Sequence, residues 1–292
     1  MDSKKTTLFR LPRGERKEIY LMGGIGNVLF QLNFAEIMRE AGFDVVVNTS
    51  LLVRHKITKL LMRWSDHGTL EALNLLHMLD DFQTNSNLGS DVALGLCAKA
   101  RRRPVLRVGY YDLSAPDPDS WDFSTAFGYF HLNVDICGAF VNKVWRELNT
   151  LLELPEFSVV KNNIDRIGSG VVMHVRGGDY KKSPASLLPA SYYKRAASGE
   201  KKCFVVTDDM RFASTMLNTI GFDFEFLGST GAISDFMTLA FAKRKILANS
   251  TFSWWAAEVG ENSEKILQRE PYYDHVSWHP RTRRTRTGVI VL

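Results

Sequence analysis

Two short stretches of the chain place charged, polar and glycine residues directly behind an apolar run. The first run, 171–175, overlaps the stretch HVRGGDY at 174–180, whose polar residues follow the end of the run. The second run, 246–248, is followed directly by NSTFSWW at 249–255. Arginine beside two glycines suits an anionic ligand such as a pyrophosphate, because a guanidinium donates in a fixed fork and glycine lets the backbone come close. Asn-Ser-Thr ahead of a predicted helix offers hydroxyl and N–H groups to the same kind of ligand.

A third polar group, Thr207-Asp208-Asp209, follows another apolar run. In an open parallel sheet, ligands bind at the edge where the strands end, so the three groups are expected to meet there. Taken singly, each has a simpler explanation. The two aspartates suit the N-cap of the next helix, and His174 suits a core histidine. Three such groups at one sheet edge favour a binding site.

The apolar pattern of the first half predicts a strand at 18–22, a tight glycine loop at 23–27, a helix at 28–41 and a strand at 44–48. This order is typical of a parallel sheet. The loop is not the dinucleotide-binding fingerprint, because Leu29 takes the place of its last glycine. Residues 51–103 have a mostly helical pattern, residues 104–110 predict a strand, and residues 139–152 predict a helix.

The second half alternates strands and helices after a stretch, 154–170, that is typical of a linker between domains. The predicted strands are 171–175, 203–206, 223–227 and 245–248, and the predicted helices are 191–198, 210–219, 233–243 and 253–259. Such alternation requires a doubly wound sheet. Two units of this kind in tandem leave a cleft between them, which is the usual place for a ligand.

The composition is that of a globular protein, with 292 residues, 45% of them hydrophobic and 24% charged. No segment has the roughly 18 uninterrupted apolar residues of a membrane span. The polar, basic N-terminal residues 1–17 lack the apolar core of a signal peptide. The three cysteines are odd in number and lack metal-like spacing, which indicates a reducing compartment. We therefore expect a cytoplasmic protein.

The net charge of +5 includes two arginine clusters, at 101–103 and 281–286. Solvated surface is the simpler explanation of these clusters. The sharper explanation is peripheral contact with an anionic membrane face, where each base contributes roughly 1 kcal/mol. Binding to nucleic acid is not expected, because no aromatic-basic module accompanies the charge.

Together the motifs resemble those of the α-1,2-fucosyltransferases, which belong to a superfamily that shares the pattern His-x-Arg-Arg-x-Asp. The chain has HVRGGD at 174–179 and an intact NSTFSWWAA at 249–257. It has GGIGNVLFQ at 23–31, where the α-1,2 group has GGLGNQLFQ. The resemblance extends over roughly residues 18–260.

The resemblance implies an α/β, GT-B-like fold with two Rossmann-like domains facing each other across a cleft. The N-terminal acceptor-side domain would comprise residues 1–155, and the C-terminal GDP-fucose-binding domain residues 156–292. It implies inverting, metal-independent transfer of L-fucose from GDP-fucose to the 2-hydroxyl of a terminal galactoside in a surface polysaccharide or oligosaccharide, with no cofactor. The alternatives are another GDP-sugar or linkage on the same scaffold, and a catalytically weak glycan-binding protein.

The resemblance also implies roles for individual residues. Arg176 is expected to neutralise the β-phosphate as fucose leaves. Asn27 is expected in a loop, with Gly23, Gly24 and Gly26, that closes over fucose and acceptor. The residues expected to bind the donor are His174, Asp179, Tyr180, Asp208, Asp235, Asn249, Ser250, Thr251 and Phe252. Within that set, His174 and Asp235 are assigned to guanine and ribose, and residues 250–252 to phosphate.

One position departs from the pattern, because Gly177 stands where the family has a second arginine. Either the donor binds more weakly, or another base such as Arg244 or Lys181 fills in. An arginine introduced at 177 is expected to strengthen donor binding, unless the glycine holds a positive φ angle. No motif position marks a general base; Asp44 and Asp112 are candidates only because they lie near predicted strand ends.

Overall fold

A computed structural model of the chain describes residues 15–53, 83–85, 105–108, 125–128, 137–182, 187–221, 223–260, 264–267 and 289–291. These residues form two parallel β-sheets with helices packed on them, which confirms the predicted GT-B-like α/β class. Asp112 and both arginine clusters lie outside the described residues, as does most of the stretch 51–103.

The first sheet has five strands in the order β3-β2-β1-β5-β4, and every neighbouring pair is parallel. Its strands are β1 (Arg16–Tyr20), β2 (Asp44–Asn48), β3 (Gln83–Asn85), β4 (Val105–Val108) and β5 (Thr125–Gly128). The described helices of this half are α1 (Ile25–Glu40), α2 (Ser50–Val53) and α3 (Gly138–Leu152). The strand β3 corrects the helical pattern predicted around it, and β5 was not predicted.

The first strand begins earlier than the prediction of 18–22, because two charged residues are part of it. Arg16 and Lys17 pair in register with the first residues of β2. The buried Lys17 ammonium lies 4.9 Å from the centroid of the Phe43 ring and 2.8 Å from a Glu15 oxygen. A lysine can therefore occupy a buried strand position when its aliphatic stem packs on apolar groups and its charge has a partner, although lysine is not a residue type that predicts a buried strand.

The second sheet has six parallel strands in the order β11-β10-β9-β6-β7-β8. They are β6 (Val171–Val175), β7 (Lys202–Thr207), β8 (Asp223–Phe226), β9 (Arg244–Ile246), β10 (Glu264–Leu267) and β11 (Val289–Val291). Its helices are α4 (Ser158–Ile167), α5 (Ala190–Ala196), α6 (Met210–Asn218), α7 (Ala232–Phe241) and α8 (Thr251–Val259). None of the described helices is long and apolar enough to cross a lipid bilayer.

The stretch 154–170, predicted to be a linker, is mostly helical. A short 3₁₀ helix, Pro155–Phe157, leads directly into α4. The exposed face of α4 is charged, so the sequence pattern did not predict a helix here. The buried face consists of Val160, Asn163 and Ile167. The Asn163 amide donates to the carbonyl oxygen of Gly228 at 2.7 Å, which ties α4 to the second sheet.

One apolar core joins the two sheets, with contributions from α1 and α3 of the first half and from α7 and α8 of the second. At its centre Phe30 stacks on Trp254 with 5.1 Å between ring centroids, and Trp255 packs edge-on against Phe30 and Phe140. A second cluster covers the other face of β6 and β7, so both faces of these strands are buried. The division of the chain at residue 155 stays a prediction.

Candidate functional site

The three polar sequence groups come together at the carboxyl edge of the second sheet. β6 lies between β9 and β7, and the loops that follow these strands carry Asn249, Arg176 and Asp208. Helix α7, which carries Asp235, follows the outer strand β8. Because all the strands are parallel, their ends and the N-termini of the following helices share one edge.

Arg176 is held by two carboxylates from different loops. Its Nη1 lies 2.6 Å from Oδ2 of Asp208, and its Nη2 donates to Oδ1 of Asp179 at 2.7 Å. Its guanidinium carbon lies 5.1 Å from the centroid of the Tyr180 ring. Its Nε is buried and has no hydrogen-bond partner among the residues that the structure describes. The guanidinium is therefore fixed in orientation and retains an unused N–H.

Two glycines let the loop after β6 pack closely against the loop after β7. The Gly177 N–H donates to Oδ1 of Asp208 at 2.7 Å. A Cβ atom at Gly177 would lie 2.8 Å from Cβ of Asp209, and one at Gly178 would meet the Asp208 carboxylate. Gly177 does not have a positive φ, whereas Gly178 has a φ of 29°. A side chain at 177 requires Asp209 or Phe212 to shift, which counts against the expectation that an arginine there strengthens donor binding; that expectation stays a prediction.

The adjacent aspartates have separate contacts. Asp209 caps helix α6, since its Oδ1 accepts from the Phe212 N–H at 2.9 Å. Its Oδ2 is paired with the ammonium of Lys181. That hydrogen bond, and after it the Phe212 amide, lowers the pKa of the Asp209 carboxyl. The N-cap explanation therefore holds for Asp209, while Asp208 contacts Arg176.

His174 is a buried neutral histidine at the end of β6. Its side chain is enclosed, with the ring centroid 5.2 Å from that of Phe252. Burial, and to a lesser extent the positive charge of Arg176, lowers the pKa of His174 to about 3. Its Nδ1 has no hydrogen-bond partner in the described part of the chain. The ring therefore stays uncharged near neutral pH and can form hydrogen bonds.

The N-terminus of α8 is capped and connected to the first half of the chain. The Ser250 hydroxyl accepts from the Phe252 N–H at 3.3 Å. The Thr251 hydroxyl donates to Oδ1 of Asn27 at 3.2 Å, and Asn27 lies in the first turn of α1. Nδ2 of Asn249 is buried without a hydrogen-bond partner among the described residues. The two predicted motifs, one from each half, therefore meet here.

The glycine loop is shaped by packing between the halves. A Cβ atom at Gly26 would lie 2.6 Å from the carbonyl oxygen of Thr251 and would also meet the Phe252 nitrogen. Gly23 has a φ of 82°, which other residues rarely adopt. Gly24 is the N-cap of α1 and offers no side-chain hydrogen bond. Gly26 thus brings the first turn of α1 against the first turn of α8.

A residue that the sequence did not single out, Gln31, holds this loop. Its buried side chain accepts from the Met22 N–H at 2.9 Å and donates to the Met22 carbonyl at 3.2 Å. Gln31 lies three residues after Val28 and four before Ala35, both in the apolar stripe of α1. A polar residue on an apolar helix face could have identified Gln31 in the sequence, because a buried amide needs hydrogen-bond partners.

Asp235 lies in the first turn of α7, partly exposed, and its N–H donates to the carbonyl oxygen of Gly231 at 3.1 Å. Its neighbour Phe236 packs edge-on against Phe252, with 5.4 Å between ring centroids. Since Phe252 also contacts His174, an aromatic row connects the start of α7 to the end of β6.

Two candidates lie at the wrong edge. Arg244 begins β9, pairs in register with Val171 at the amino end of β6, and binds Glu200 at 2.7 Å. It therefore does not replace the missing arginine. Asp44 begins β2, so it lies at the amino edge of the first sheet and is an unsuitable general base for this site.

Within the described ranges no group of three or more His, Cys, Asp or Glu side chains is arranged to hold a metal ion. Metal independence stays a prediction that chelation tests.

Comparison with known proteins identifies relatives of the chain. Residues 107–275 match the model of glycosyl transferase family 11. The O-antigen biosynthesis glycosyltransferase WbnK of Escherichia coli is 31% identical over 109 residues, which cover 32% of this chain and 36% of that protein. The alignment thus spans about a third of the relative's length.

Solved structures with some similarity include the fucosyltransferase NodZ from Bradyrhizobium, at 13% identity and a TM-score of 0.45, covering 84% of this chain and 94% of that one. The ADP-heptose LPS heptosyltransferase II of E. coli has 12% identity and a TM-score of 0.45, covering 95% of this chain and 90% of that one.

Proposed function

Because the chain belongs to glycosyl transferase family 11, we propose that it moves L-fucose from GDP-fucose to the 2-hydroxyl of a terminal galactoside. The class of reaction, glycosyl transfer, comes with the family. The donor, the linkage and the acceptor are the proposal. The E. coli relative is named for O-antigen biosynthesis, which supports a surface polysaccharide or oligosaccharide as the acceptor. We place the enzyme in the cytoplasm, in peripheral contact with an anionic membrane.

One observation carries the proposal: a fixed arginine lies among buried polar atoms that have no partner. Nε of Arg176, Nδ1 of His174 and Nδ2 of Asn249 are all buried without a hydrogen bond among the described residues, and all belong to the loops or strand ends of one sheet edge. Buried polar atoms are nearly always paired in folded proteins. A bound ligand that supplies hydrogen-bond acceptors and donors at this edge would pair all three of these atoms.

The transfer requires charge stabilisation at the leaving group. The acceptor hydroxyl oxygen attacks C1 of fucose while the bond from C1 to the β-phosphate oxygen breaks, and the bonding electrons leave on that oxygen. The negative charge of the diphosphate grows in the transition state, so a guanidinium already held in place lowers the barrier. Asp179 and Asp208 provide that preorganisation for Arg176.

The acceptor hydroxyl loses its proton late in the reaction, because the forming bond from its oxygen to C1 makes the hydroxyl acidic. His174 is not the acceptor of that proton near neutral pH, because the folded protein lowers its pKa to about 3. A weak base, including an oxygen of the departing phosphate, is sufficient for an oxocarbenium-like transition state. His174 and Asp235 are assigned to the guanosine part of the donor, where a neutral ring and a carboxylate form hydrogen bonds.

The first half of the chain supplies the acceptor side of the site. Asn27 reaches the phosphate-binding turn through its hydrogen bond with Thr251. Gly26 allows that approach, because any side chain there would collide with the turn. In the proposed enzyme this junction places the glycine loop over fucose and the acceptor hydroxyl.

A donor panel tests the proposal. Purified protein is incubated with a terminal galactoside and, separately, with GDP-fucose, GDP-mannose, UDP-galactose or ADP-heptose, and nucleotide release is measured with and without the acceptor. We expect acceptor-dependent release from GDP-fucose alone. Release from another GDP-sugar would establish the alternative donor. Binding of the galactoside without release from any donor would establish a glycan-binding protein.

A further inference from the structure

Lys181 stands one helical turn after Gly177. Its N–H donates to the carbonyl oxygen of Gly177 at 3.3 Å, within the short helical segment Gly178–Lys182 and its preceding residue. This hydrogen bond closes the turn that brings the Lys181 backbone next to Gly177.

Position 177 and Lys181 share a neighbour. A Cβ atom at Gly177 would lie 2.8 Å from Cβ of Asp209, and the ammonium of Lys181 is paired with the carboxylate of the same aspartate. A side chain at 177 would thus press on Asp209 and on the Phe212 ring, and so on the residue that holds the Lys181 ammonium. The glycine leaves the pair of Lys181 and Asp209 undisturbed.

Lys181 is also freer to bind a ligand than Arg176. Arg176 is engaged by two carboxylates and its side chain is 20% exposed, whereas Lys181 is engaged by one and its side chain is 51% exposed. Half-exposed ion pairs are weak, because water screens the charges and the side chains lose freedom on pairing. A flexible ammonium can therefore exchange a carboxylate for a phosphate oxygen.

We infer that Lys181 is a donor-binding residue that supplies the second positive charge of the diphosphate site. The inference rests on the proposed function, because it requires a diphosphate at the edge of the second sheet. When the donor arrives, the ammonium moves from Asp209 to a phosphate oxygen. Asp209 remains the cap of α6 through its other oxygen, which accepts from Phe212. Without the donor, Asp209 restrains Lys181.

Calorimetric titration with GDP tests this inference on the full chain. Lys181→Met keeps the length of the stem and removes the charge, and we expect the Kd for GDP to rise about tenfold, as for the loss of one charge-assisted hydrogen bond. Lys181→Arg keeps the charge and should stay within about threefold of the wild type. Lys202→Met is the matched control, since Lys202 is a similarly exposed, carboxylate-paired lysine at the opposite edge of the same sheet.

We expect Asp209→Asn to change the Kd for GDP in the opposite direction from Lys181→Met. The asparagine oxygen still caps α6, but the loss of the negative charge releases Lys181, so the Kd for GDP should fall about threefold. In the Lys181→Met background the same substitution should have no such effect. Melting temperatures of all variants confirm that the comparison is made between folded proteins.

The outcomes separate this inference from the proposed function. A wild-type protein that binds no GDP overturns both. GDP binding that Lys181→Met leaves unchanged overturns the role of Lys181 alone, and so does an Asp209→Asn gain that persists without the lysine. A loss in Lys181→Met together with an Asp209→Asn gain that depends on Lys181 supports the inference.

Discussion

The contact between the first turns of α1 and α8 makes Gly26 sensitive to any added side chain. In Gly26→Ala the added Cβ would lie 2.6 Å from the carbonyl oxygen of Thr251. Optimal contacts of carbon are about 3.5 Å, so the two helices have to separate by roughly 1 Å. The obstacle is backbone rather than a flexible side chain, and no rotamer change relieves it.

Such a separation breaks the connection between the halves. The hydrogen bond from Thr251 to Asn27 is 3.2 Å long, and a further ångström takes it beyond hydrogen-bonding distance. Phe30, one turn further along α1, loses part of its contact with Trp254 and Trp255. Overpacking of this kind costs about 1–3 kcal/mol of stability. A 1 Å misplacement of catalytic groups costs on the order of a hundredfold in rate.

We therefore expect Gly26→Ala to reduce kcat for GDP release about a hundredfold and to lower the melting temperature. The matched control is Gly138→Ala, because a Cβ there meets nothing within 4 Å and the residue opens α3. That variant should keep full activity and equal or higher stability. Wild-type turnover and melting temperature in Gly26→Ala would refute the close packing of the two helices.

Four further predictions concern the site and the basic cluster at 281–286. Arg176→Ala should lower kcat by roughly a hundredfold or more in a folded protein, and Arg176→Lys should restore little of it; near-normal kcat in the alanine variant excludes the role. Because the folded state lowers the pKa of His174 to about 3, the stability that its neutral form contributes is present above pH 6.5 and is lost as the pH falls toward 3. Urea unfolding of the wild type should therefore lose roughly 1.4 kcal/mol per pH unit relative to His174→Asn in that window; parallel pH profiles contradict this. Activity should survive EDTA; a complete loss that Mg²⁺ or Mn²⁺ restores overturns metal independence. Binding to anionic liposomes at low salt should fall, with turnover on a soluble acceptor unchanged, when glutamine replaces Arg281, Arg283, Arg284 and Arg286; equal binding indicates a solvated surface.

The last of these tests uses substitution rather than truncation for a structural reason. Val289–Val291 form β11, which pairs in parallel with β10. Deleting the chain from residue 281 would therefore remove a strand of the second sheet together with the arginines. The sequence alone did not reveal this, because the four apolar residues 289–292 behind a basic stretch are too short a pattern to predict a strand.

Much of the second half was predictable because local pattern and tertiary structure agree there. β6 and β7 are buried on both faces, which produces the continuous apolar runs that predict parallel strands. The polar residues behind those runs are at the shared edge as expected. The linker prediction failed because α4 has charged and asparagine residues outside, and a buried Asn163 inside whose partners are distant in sequence.

The contacts within the site were less predictable than its location. The predicted helix start at 210 marks Asp209 as the N-cap residue, but nothing local indicates that Asp208 holds Arg176; that contact arises because the loop after β6 packs against the loop after β7. The same packing explains Gly177, whose lack of a side chain is a steric requirement. Close approaches between segments distant in the sequence are set by the tertiary fold, and a single sequence does not display them.

The most direct test of the proposed function is the structure of the product formed from GDP-fucose and a terminal galactoside, determined by NMR on wild-type and Arg176→Ala reactions. We predict an α-linked fucose on the 2-hydroxyl of galactose in the wild-type reaction, with inversion at C1 of the donor sugar. At equal times the Arg176→Ala reaction should contain almost none. The absence of a fucosylated product, another linkage or retained configuration would contradict the account, and so would the same product at the same rate from both proteins.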